Sequence, residues 1–501
     1  MTQTISKVLV ANRGEIALRI MRTCREMDIK TVAIYSTPDA NTPHVQFADE
    51  SVWVGEASSS ESYLDMGKVI AAARQTAADA IHPGYGFLSE NGEFSNRCKD
   101  EDIIFIGPSA ESMRLMGDKT AARDLMGKAG VPFPPGTKDA MDDVDVALSE
   151  ARNVGFPVLI KAAAGGGGKG MRIVHDEKNF YSSVKAAQSE ARNAFGDDRV
   201  YVEKYLEGPR HIEFQILADR EGNTVHLFER ECSIQRRHQK VIEEAPSSLL
   251  SNKLRNKMAD AAVRAAKACN YEGAGTIEFL VDKHQKFYFL EMNTRLQVEH
   301  PVTEMITGID IVEAQIRIAR GEPLHFSQEQ IKKNGHAIEC RVYAEDPTDN
   351  FLPSTGKLSR HRIPAGGGVR VDAGVEEGGE VTINYDPMIS KLSVHAPDRK
   401  QAIAKMLRAL KEYEISGCRT TIPFCDFTLR HNAFIEGNYD THFVADHYEP
   451  SKDSLFEKEN DVDALAISLI AALKNQNGTS QNGQKTNQIK TGQNNWWAAR
   501  R

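Results

Sequence analysis

The sequence predicts a multidomain protein of mixed α/β and α+β class, with an open parallel α/β domain first and a β-rich domain towards the end. The chain has 501 residues, too many for one hydrophobic core and enough for about three domains of ordinary size. It opens with a strand, a helix and a second strand, and this order predicts a parallel sheet. A β-rich stretch with three glycines at 366–368 lies near the other end.

Composition and charge disfavour several classes of protein. Hydrophobic residues make up 41% and charged residues 26% of the chain, as in soluble globular proteins, and a net charge of −8 argues against a nucleic-acid partner. The seven cysteines are scattered without a Cys-x-x-Cys pair, which indicates a reducing compartment. With neither an apolar signal segment nor a stretch of membrane-spanning length, we expect a cytoplasmic protein that binds no membrane.

Strands and helices alternate along the first part of the chain. Short apolar strands are predicted at 7–12, 31–35, 80–81 and 103–106. Ligands of open α/β sheets bind where such strands end. The loop 82–91 follows one strand end with the sequence His-Pro-Gly-Tyr-Gly-Phe-Leu-Ser-Glu-Asn. Its many turn residues fit a ligand loop and a tight connection equally well.

A run of four glycines at 165–168 lies in a small α/β unit after a proline-rich boundary at 131–136. Strands at 155–161 and 200–206 enclose it. A flexible linker would be longer and flanked by Ser or Pro, whereas glycines between strands let backbone N–H groups close over a phosphate. We therefore favour a phosphate-covering flap. It is not a P-loop, because Gly170 stands where Ser or Thr should follow the lysine.

Basic residues are placed to meet a phosphate or another anion. Lys119 and Lys161 would add positive charge to the phosphate site. A basic cluster occurs later in the chain, comprising Arg230, Arg236, Arg237, His238 and Lys240. Charge clusters are usually solvated, and we expect this of Arg230. Lys240 stands before the segment 241–246 and is expected to face a ligand.

Two neighbouring strands carry the acidic residues of a predicted metal site. Glu278 lies on the first, and after a turn at 282–285 the second ends at Glu291 and Asn293. Alternation places Glu291 and Asn293 on one face, and the turn places Glu278 opposite Phe289 and diagonal to Glu291. Two facing carboxylates repel each other unless a cation lies between them. Carboxylate and amide oxygens are hard ligands that Mg²⁺ prefers.

The residues that follow this strand alternate as two donors and a base. They are Arg295, Gln297 and Glu299, and the planar fork of an arginine suits carboxylate-like or phosphate anions. A metal-binding edge beside an anion-binding edge indicates ATP chemistry on a small oxyanion. The plainer interpretation is a strand end with a solvated polar loop, and the second carboxylate nearby disfavours it.

Two more predicted strands have a polar face. On the strand 211–218 the polar residues alternate, so that one face carries His211, Glu213 and Gln215. On the strand 337–345 the corresponding residues are Glu339, Arg341 and Tyr343. A lone arginine such as Arg341 is more often part of a structural ion pair than a catalytic group. Helices are predicted at 251–269, 309–320 and about 399–411.

The end of the chain has a different composition. Residues 474–501 are rich in Asn, Gln, Gly and Lys, which is typical of disorder. Trp496 and Trp497 lie there and are two of only three tryptophans. Exposed tandem tryptophans suggest partner docking. Deleting 474–501 is expected to weaken the assembly of subunits and to leave ATP hydrolysis intact.

Five segments together resemble the biotin carboxylase family of ATP-grasp enzymes, over roughly residues 5–450. They are 11–17 (Ala-Asn-Arg-Gly-Glu-Ile-Ala), 82–91, 165–171, 236–246 and 291–301. The resemblance implies five parts. These are an N-terminal α/β domain at 1–116, a linker and ATP-grasp lid at 117–205, a metal and nucleotide domain at 206–335, a C-terminal domain at 336–450, and a helix with a low-complexity tail at 451–501.

The resemblance also implies the site residues. ATP would contact Lys119, Lys161, Gly167, Gly168, Glu203, Lys204, Leu206, His211, Gln235, His238, Glu278 and Glu291. Mg²⁺ or Mn²⁺ would bind Glu278, Glu291 and Asn293. Bicarbonate would bind Lys240, Arg295, Gln297 and the Val298 backbone. The catalytic residues would be Lys240, Arg295, Glu299 as general base, and Arg341 beside the biotin ureido oxygen.

The implied reaction is the ATP-dependent carboxylation of biotin by bicarbonate through carboxyphosphate. The chain stops short of a biotin carrier domain and a carboxyltransferase, so we expect both as separate partners, and we expect a homodimer. Acetyl-CoA carboxylase is the first expectation for the complete enzyme, ahead of propionyl-CoA, pyruvate and 2-oxoglutarate carboxylase. A carboxylate–amine ligase, half of a carbamoyl-phosphate synthetase and a catalytically silent ATP-binding scaffold remain as alternatives.

Overall fold

The computed structural model describes residues 3–137, 139–163 and 171–450, without the side chains of 119, 194 and 195. A parallel sheet with two buried faces forms its first part. Its elements are β1 (Lys7–Val10), α1 (Gly14–Glu26), β2 (Lys30–Ser36), α2 (Pro43–Phe47), β3 (Glu50–Gly55), α3 (Met66–Gln75), β4 (Ala80–His82), α4 (Gly92–Asp100), β5 (Ile104–Phe105) and α5 (Ala110–Gly117). The strand order is β3-β2-β1-β4-β5. Val8 and Val10 pack into one core and Leu9 into another, because a parallel sheet is covered on both faces. The predicted open parallel domain is confirmed.

A small antiparallel sheet follows. The elements of this part are α6 (Lys119–Lys128), α7 (Val144–Val154), β6 (Val158–Ala162), β7 (Arg172–Val174), α8 (Phe180–Phe195) and β8 (Val200–Lys204). The strand order is β7-β6-β8, and α7 and α8 cover the apolar face formed by Val158, Ile160 and Val202. The glycines of the predicted flap at 165–168 lie outside the described residues.

Eight of the remaining described strands build one large antiparallel sheet. Its central part comprises β9 (Arg210–Ala218), β10 (Thr224–Arg236), β11 (Gln239–Ala245), α9 (Asn252–Ala268), β12 (Gly273–Val281), β13 (Phe287–Asn293), α10 (His300–Thr307) and α11 (Ile311–Ala319). The C-terminal part comprises β14 (His336–Tyr343), β15 (Glu345–Asp346), β16 (Leu352–Pro353), β17 (Gly356–Lys357), β18 (Arg360–Arg362), β19 (Val369–Ala373), β20 (Glu380–Val381), β21 (Met388–Ala396), α12 (Arg399–Glu412), β22 (Glu414–Ser416), α13 (Ile422–Arg430), α14 (Asn432–Glu436) and α15 (Phe443–His447). The eight-stranded order β13-β12-β9-β10-β11-β14-β21-β19 joins the two parts, and the other strands form three two-stranded sheets, β15-β16, β17-β20 and β18-β22.

Each half of this sheet has one apolar and one polar face. In the central half, Phe214 and Phe279 pack against α9 in one core. In the C-terminal half, Ile338, Val342 and Leu392 lie in a second core together with buried residues of α12 and α13. The predicted alternation along these strands is confirmed, because side chains of a strand point alternately to its two faces.

The register of the hairpin formed by β12 and β13 differs from the prediction. Asp282 pairs with Lys286, and a register shift follows Glu278. Glu278 therefore lies opposite Glu291 and not opposite Phe289. The extra residue of a β-bulge changes which residues face each other, and here it brings the two carboxylates directly together.

The described strands and helices up to Tyr448 form one compact unit, so the domain boundaries proposed within this unit stay predictions. Trp496, Trp497 and the rest of the predicted tail lie outside the described residues. Among the helices that are described, none combines the length and the apolar composition needed to cross a bilayer.

Candidate active site

The facing carboxylates of β12 and β13 form one end of a polar cluster. Glu278 and Glu291 are register partners, as are Thr276 and Asn293, so all four side chains lie on one face. The Asn293 amide donates a 2.8 Å hydrogen bond to Glu278 Oε1. Burial and the charge of Glu278 raise the pKa of Glu291. Within the described part of the chain, Glu291 has no hydrogen-bond or ion-pair partner.

These residues fit a divalent cation. Two carboxylates and an amide side chain supply the hard oxygen ligands that Mg²⁺ selects, and the repulsion that raises the pKa of Glu291 is relieved by a cation between the two groups. Glu278, Glu291 and Asn293 are therefore the residues that would hold the metal.

The neighbouring strand β9 extends the cluster. His211 Nε2 lies 3.0 Å from Glu278 Oε2, and the other ring nitrogen lies 2.9 Å from the amide nitrogen of Gln235. Glu213 is the register partner of Glu278 on β9. The structure thus brings together the predicted nucleotide residues His211, Gln235 and Glu278.

Lys240 lies between three glutamates from three parts of the sequence. Its Nζ is 2.5 Å from Glu213, 3.0 Å from Glu278 and 2.7 Å from Glu299. Burial opposes its charge, but the three carboxylates outweigh burial and raise the pKa of Lys240 well above its usual value. A bound anion at this point would meet a permanently charged ammonium group.

Glu299 is buried and held by two cations. One carboxylate oxygen accepts from Lys240 at 2.7 Å and the other accepts from Arg341 Nη2 at 2.9 Å. Burial pushes its pKa up, yet Lys240, Arg341 and Arg230 outweigh burial and hold the pKa of Glu299 well below its usual value. Arg341 also donates to Glu243 at 2.6 Å, so it does form an ion pair, at the same place as the predicted base.

Arg295 and Gln297 complete this cluster from the loop before Glu299. Arg295 donates to Glu90 at 2.8 Å and to the side-chain oxygens of Asn293 and Gln297 at 3.1 and 3.2 Å. Gln297 Nε2 donates to Glu278 at 3.0 Å. Glu90 belongs to the loop 82–91, which therefore helps to position the predicted anion-binding arginine.

The prediction that Arg230 is solvated is wrong. Its side chain is 0% exposed and its guanidinium donates to Glu213 at 2.5 Å and to Gln215 at 2.7 Å. Arg230 is the register partner of Glu213 on β9, so its side chain lies on the polar face of the large sheet. There it neutralises part of the charge of Glu213, a residue that sequence reasoning placed on the right face without assigning it a role.

The predicted nucleotide residues of the small sheet form a second group. Glu203 lies 2.5 Å from Lys161 and also pairs with Arg123. Lys204 donates to the carbonyls of Gly155 and Phe156 at 2.9 Å each.

Other predicted nucleotide residues are placed differently. Leu206 follows β8 and is half-buried, whereas His238 is exposed in the left-handed turn between β10 and β11. The structure does not bring His238 to the cluster around Lys240. The Lys119 side chain, Gly167 and Gly168 lie outside the described residues.

Three domain families match consecutive parts of the chain. Residues 4–113 match "Biotin carboxylase, N-terminal domain", residues 118–327 match "Carbamoyl-phosphate synthase L chain, ATP binding domain" and residues 339–446 match "Biotin carboxylase C-terminal domain". A biotin carboxylase from Nostoc sp. is 55% identical over 438 residues, which cover 87% of this chain and 98% of that protein. The chain belongs to the biotin carboxylase family.

Other members of the biotin carboxylase family serve different complete enzymes. A pyruvate carboxylase subunit from Methanothermobacter thermautotrophicus is 52% identical over 90% of this chain and 92% of its own length. The relatives therefore confirm the predicted enzyme class, an ATP-grasp biotin carboxylase, without separating the possible acyl acceptors.

Solved structures of the biotin carboxylase family confirm the fold class. Biotin carboxylase from Campylobacter jejuni, in a complex with β,γ-ATP, has a TM-score of 0.86 at 52% identity and covers 89% of this chain and 99% of that one. The biotin carboxylase domain dimer of 2-oxoglutarate carboxylase from Hydrogenobacter thermophilus, with MgADP, ADP and bicarbonate, has a TM-score of 0.84 at 48% identity and covers 89% and 98%.

Proposed function

We propose that this protein carboxylates biotin on a separate carrier protein, with ATP and bicarbonate as co-substrates. The observation that carries the proposal is the buried Glu299 carboxylate between Lys240 and Arg341, next to the facing pair Glu278 and Glu291. It supports the proposal because a carboxylate suited to act as a base, cations suited to an anion and a carboxylate pair suited to a metal lie within one cluster. The related structures contain β,γ-ATP in one case and MgADP, ADP and bicarbonate in the other, and the same cluster is expected to bind MgATP and bicarbonate.

The first chemical step belongs to Glu299. It takes the proton of bicarbonate, and the resulting oxygen attacks the γ-phosphorus of ATP to give carboxyphosphate and ADP. A bound anion shares the charges of Lys240 and Arg341, which in the unliganded protein both neutralise Glu299. The pKa of Glu299 therefore rises when the anion binds, towards the range that suits a base. A metal held by Glu278, Glu291 and Asn293 would neutralise charge on the phosphates.

The second step transfers the carboxyl group. Carboxyphosphate breaks down to CO₂ and phosphate, the phosphate removes the ureido proton of biotin, and the nitrogen attacks CO₂. Arg341 stabilises the ureido oxygen while it carries negative charge. Hydrogen bonds to Glu243, Glu299 and the Tyr343 hydroxyl hold the guanidinium in place on β14.

Bicarbonate-dependent ATP hydrolysis with and without free biotin tests the proposal. We expect biotin to stimulate hydrolysis, and Glu299→Gln or Arg341→Ala to reduce the stimulated rate by roughly 100-fold or more, because a base or a charge-stabilising group is lost. Arg317→Ala is the matched control, since among the described residues Arg317 forms its ion pairs with Glu313 and Glu322, at the surface. Stimulation by ammonia or an amino acid in place of biotin would favour a carboxylate–amine ligase.

For the complete enzyme we propose acetyl-CoA carboxylase, with a biotin carboxyl carrier protein and a carboxyltransferase as partner proteins and a homodimer of this chain at its core. Propionyl-CoA, pyruvate or 2-oxoglutarate carboxylase is the alternative, because the acyl acceptor is selected by another component of the enzyme. Identification of the carboxyltransferase that co-purifies with this protein separates these enzymes.

A further inference from the structure

The polar face of the large sheet carries a row of buried charges beneath the loop that contains Glu299. Arg341 on β14 is the register partner of Lys391 on β21, and Lys391 is the register partner of Asp372 on β19. Register partners on antiparallel strands point to the same face. Helix α10, which begins directly after Glu299, packs against β10, β11, β14 and β21, so it covers this row.

Lys391 is the most enclosed of these cations. Its side chain is 0% exposed, and its Nζ donates a 2.8 Å hydrogen bond to the carbonyl oxygen of Val298. The nearest carboxylate is Glu15 on α1, whose Oε2 lies 3.3 Å away. Asp372 and Glu339 on the neighbouring strands attract Lys391 as well. Desolvating an ammonium group is costly, and buried ion pairs do not normally return more than that cost. A methionine of similar length would fill the same space without this cost, so fold stability alone does not explain a lysine here.

The bond to Val298 connects Lys391 directly to the predicted active site. Val298 precedes Glu299, and its carbonyl group is part of the peptide plane that includes the Glu299 nitrogen and Cα. Orientation of this plane therefore fixes where the Glu299 Cα lies, the atom that carries the side chain of the base. The Glu299 carboxylate is then held by Lys240 and Arg341, so the backbone and the side chain of the base are secured separately.

Glu15 connects the same lysine to the N-terminal domain. Its Oε1 accepts a hydrogen bond from the Tyr85 hydroxyl, and the Tyr85 carbonyl accepts from the Asn12 side chain at 2.7 Å. Burial raises the pKa of Glu15, and the nearby Lys391 opposes that rise. The segment 11–17 contributed to the family resemblance, but its residues had no predicted role. In the structure Asn12 and Glu15 bind the loop 82–91 through Tyr85, and Glu15 also supplies the counter-charge of Lys391.

We infer that Lys391 is a positioning residue for the reaction: it orients the Val298 peptide, and through it Glu299 and the anion site, while Glu15 serves as its counter-charge. The inference rests on the proposed function, in which Glu299 is the base and the Val298 backbone contacts bicarbonate. A purely structural ion pair between Lys391 and Glu15 is the competing explanation.

The two explanations differ in the double variant Lys391→Met/Glu15→Gln, which removes both buried charges and keeps the side-chain volumes. We expect Lys391→Met alone to lower the urea midpoint, because it leaves Glu15 buried without its counter-charge, and the double variant to recover most of that loss. We expect the kinetics not to recover. In the double variant the KM for bicarbonate should rise, or kcat should fall, on the order of 10- to 100-fold, because the catalytic group is misplaced. The affinity for MgADP should stay within about twofold of that of the parent.

Two further variants complete the test. Lys7→Met is the matched control, because Lys7 also donates to a backbone carbonyl, at 2.6 Å, and pairs with a glutamate at 2.7 Å, outside the site. Glu15→Gln leaves the bond from Lys391 to Val298 in place and should lower stability with little change in the KM for bicarbonate. It serves alone if the Lys391 variants do not fold, because a KM change in Glu15→Gln would contradict the role of the carbonyl bond.

Parent-like kinetics in a stable double variant would overturn the positioning role and leave the proposed function intact. An equal loss of MgADP affinity and bicarbonate turnover would also overturn it, since a general disturbance would then explain the data. Absence of bicarbonate-dependent ATP hydrolysis in the parent protein would instead remove the proposed function, and this inference with it.

Discussion

Single buried carboxyl groups on the polar face of the large sheet differ in protonation because their neighbours differ. Three cations hold the pKa of Glu299 well below its usual value. Glu243 and Glu339 are register partners on β11 and β14 and are both fully buried. Burial raises the pKa of Glu243 to about 7 and that of Glu339 to about 8, against the attraction of Arg341 and Lys391 respectively. An ionised base in the loop before α10 and proton-binding carboxyl groups on β11 and β14 thus occur in the same part of the protein.

The raised pKa of Glu339 predicts a pH dependence of stability. A carboxyl group with a higher pKa in the folded state stabilises the fold below its unfolded pKa of about 4.5 and loses this contribution as the pH rises towards about 8. Glu339→Gln mimics the protonated form. We expect the parent to lose free energy of unfolding relative to this variant over that window, by at most about 1.4 kcal/mol per pH unit.

Urea unfolding at several pH values between 4.5 and 8 checks this expectation. Glu111→Gln on the exposed surface of α5 is the control and should give the same pH dependence as the parent. A constant difference between parent and Glu339→Gln across the window would show that Glu339 does not take up a proton there.

At the scale of elements, the hairpin of β12 and β13 shows how one irregular residue decides a site. Regular pairing from the predicted turn would have set Glu278 opposite an aromatic ring. The register shift after Glu278 sets Glu278 opposite Glu291. Phe279 and Phe289 face each other in the apolar core. The bulge therefore satisfies the core and the polar face of the same hairpin at once.

This geometry predicts how nucleotide binding depends on the metal. In the parent, Mg²⁺ should strengthen the binding of ADP, and Glu291→Gln should remove most of that effect while ADP alone binds about as well as before, because the repulsion between the facing carboxylates disappears with the charge. Titration calorimetry with and without Mg²⁺ measures both affinities. Glu272→Gln, just before β12, is the matched control, and an unchanged metal effect in Glu291→Gln would place the metal elsewhere.

For the whole molecule, the described parts are joined by buried polar contacts as well as by the shared sheet. Arg19 of α1 and Arg370 of β19 both pair with Glu304 of α10 at 2.7 Å. The hydroxyl of Tyr385, in the loop before β21, lies within hydrogen-bond distance of Ser36 Oγ at 2.6 Å and of the Ala57 carbonyl at 2.7 Å. Such contacts connect the first domain with the later ones and help to join them into one compact unit.

Removal of the Tyr385 hydroxyl tests how much one such contact contributes. Tyr385→Phe keeps the ring against Arg13 and Tyr63 and should lower the free energy of unfolding by about 1–2 kcal/mol, because Ser36 and the Ala57 carbonyl lose the hydroxyl with which they form hydrogen bonds. Urea unfolding measures the change. Tyr35→Phe is the control, as no hydrogen bond of the Tyr35 hydroxyl occurs among the described residues. Equal stability of parent and Tyr385→Phe would mean that water replaces the hydroxyl without loss.

Local patterns in the sequence were sufficient for the parallel first domain, for the polar faces of β9 and β14, and for the presence of Glu278, Glu291 and Asn293 on one face. These features follow from periods of two and 3.6 residues, which any short segment displays by itself. The long family segments added the enzyme class, which the matching domain families and relatives confirm.

Only the tertiary structure decided which charges meet. Lys240 lies among glutamates from three separate strands and loops, Arg230 is buried beside one of them, and Lys391 reaches both Glu15 and the backbone before Glu299. Such meetings depend on strand order, on register and on a single bulge, and no local pattern encodes any of these. A buried charge is tolerated only where distant partners converge on it, and that convergence exists only once the chain has folded.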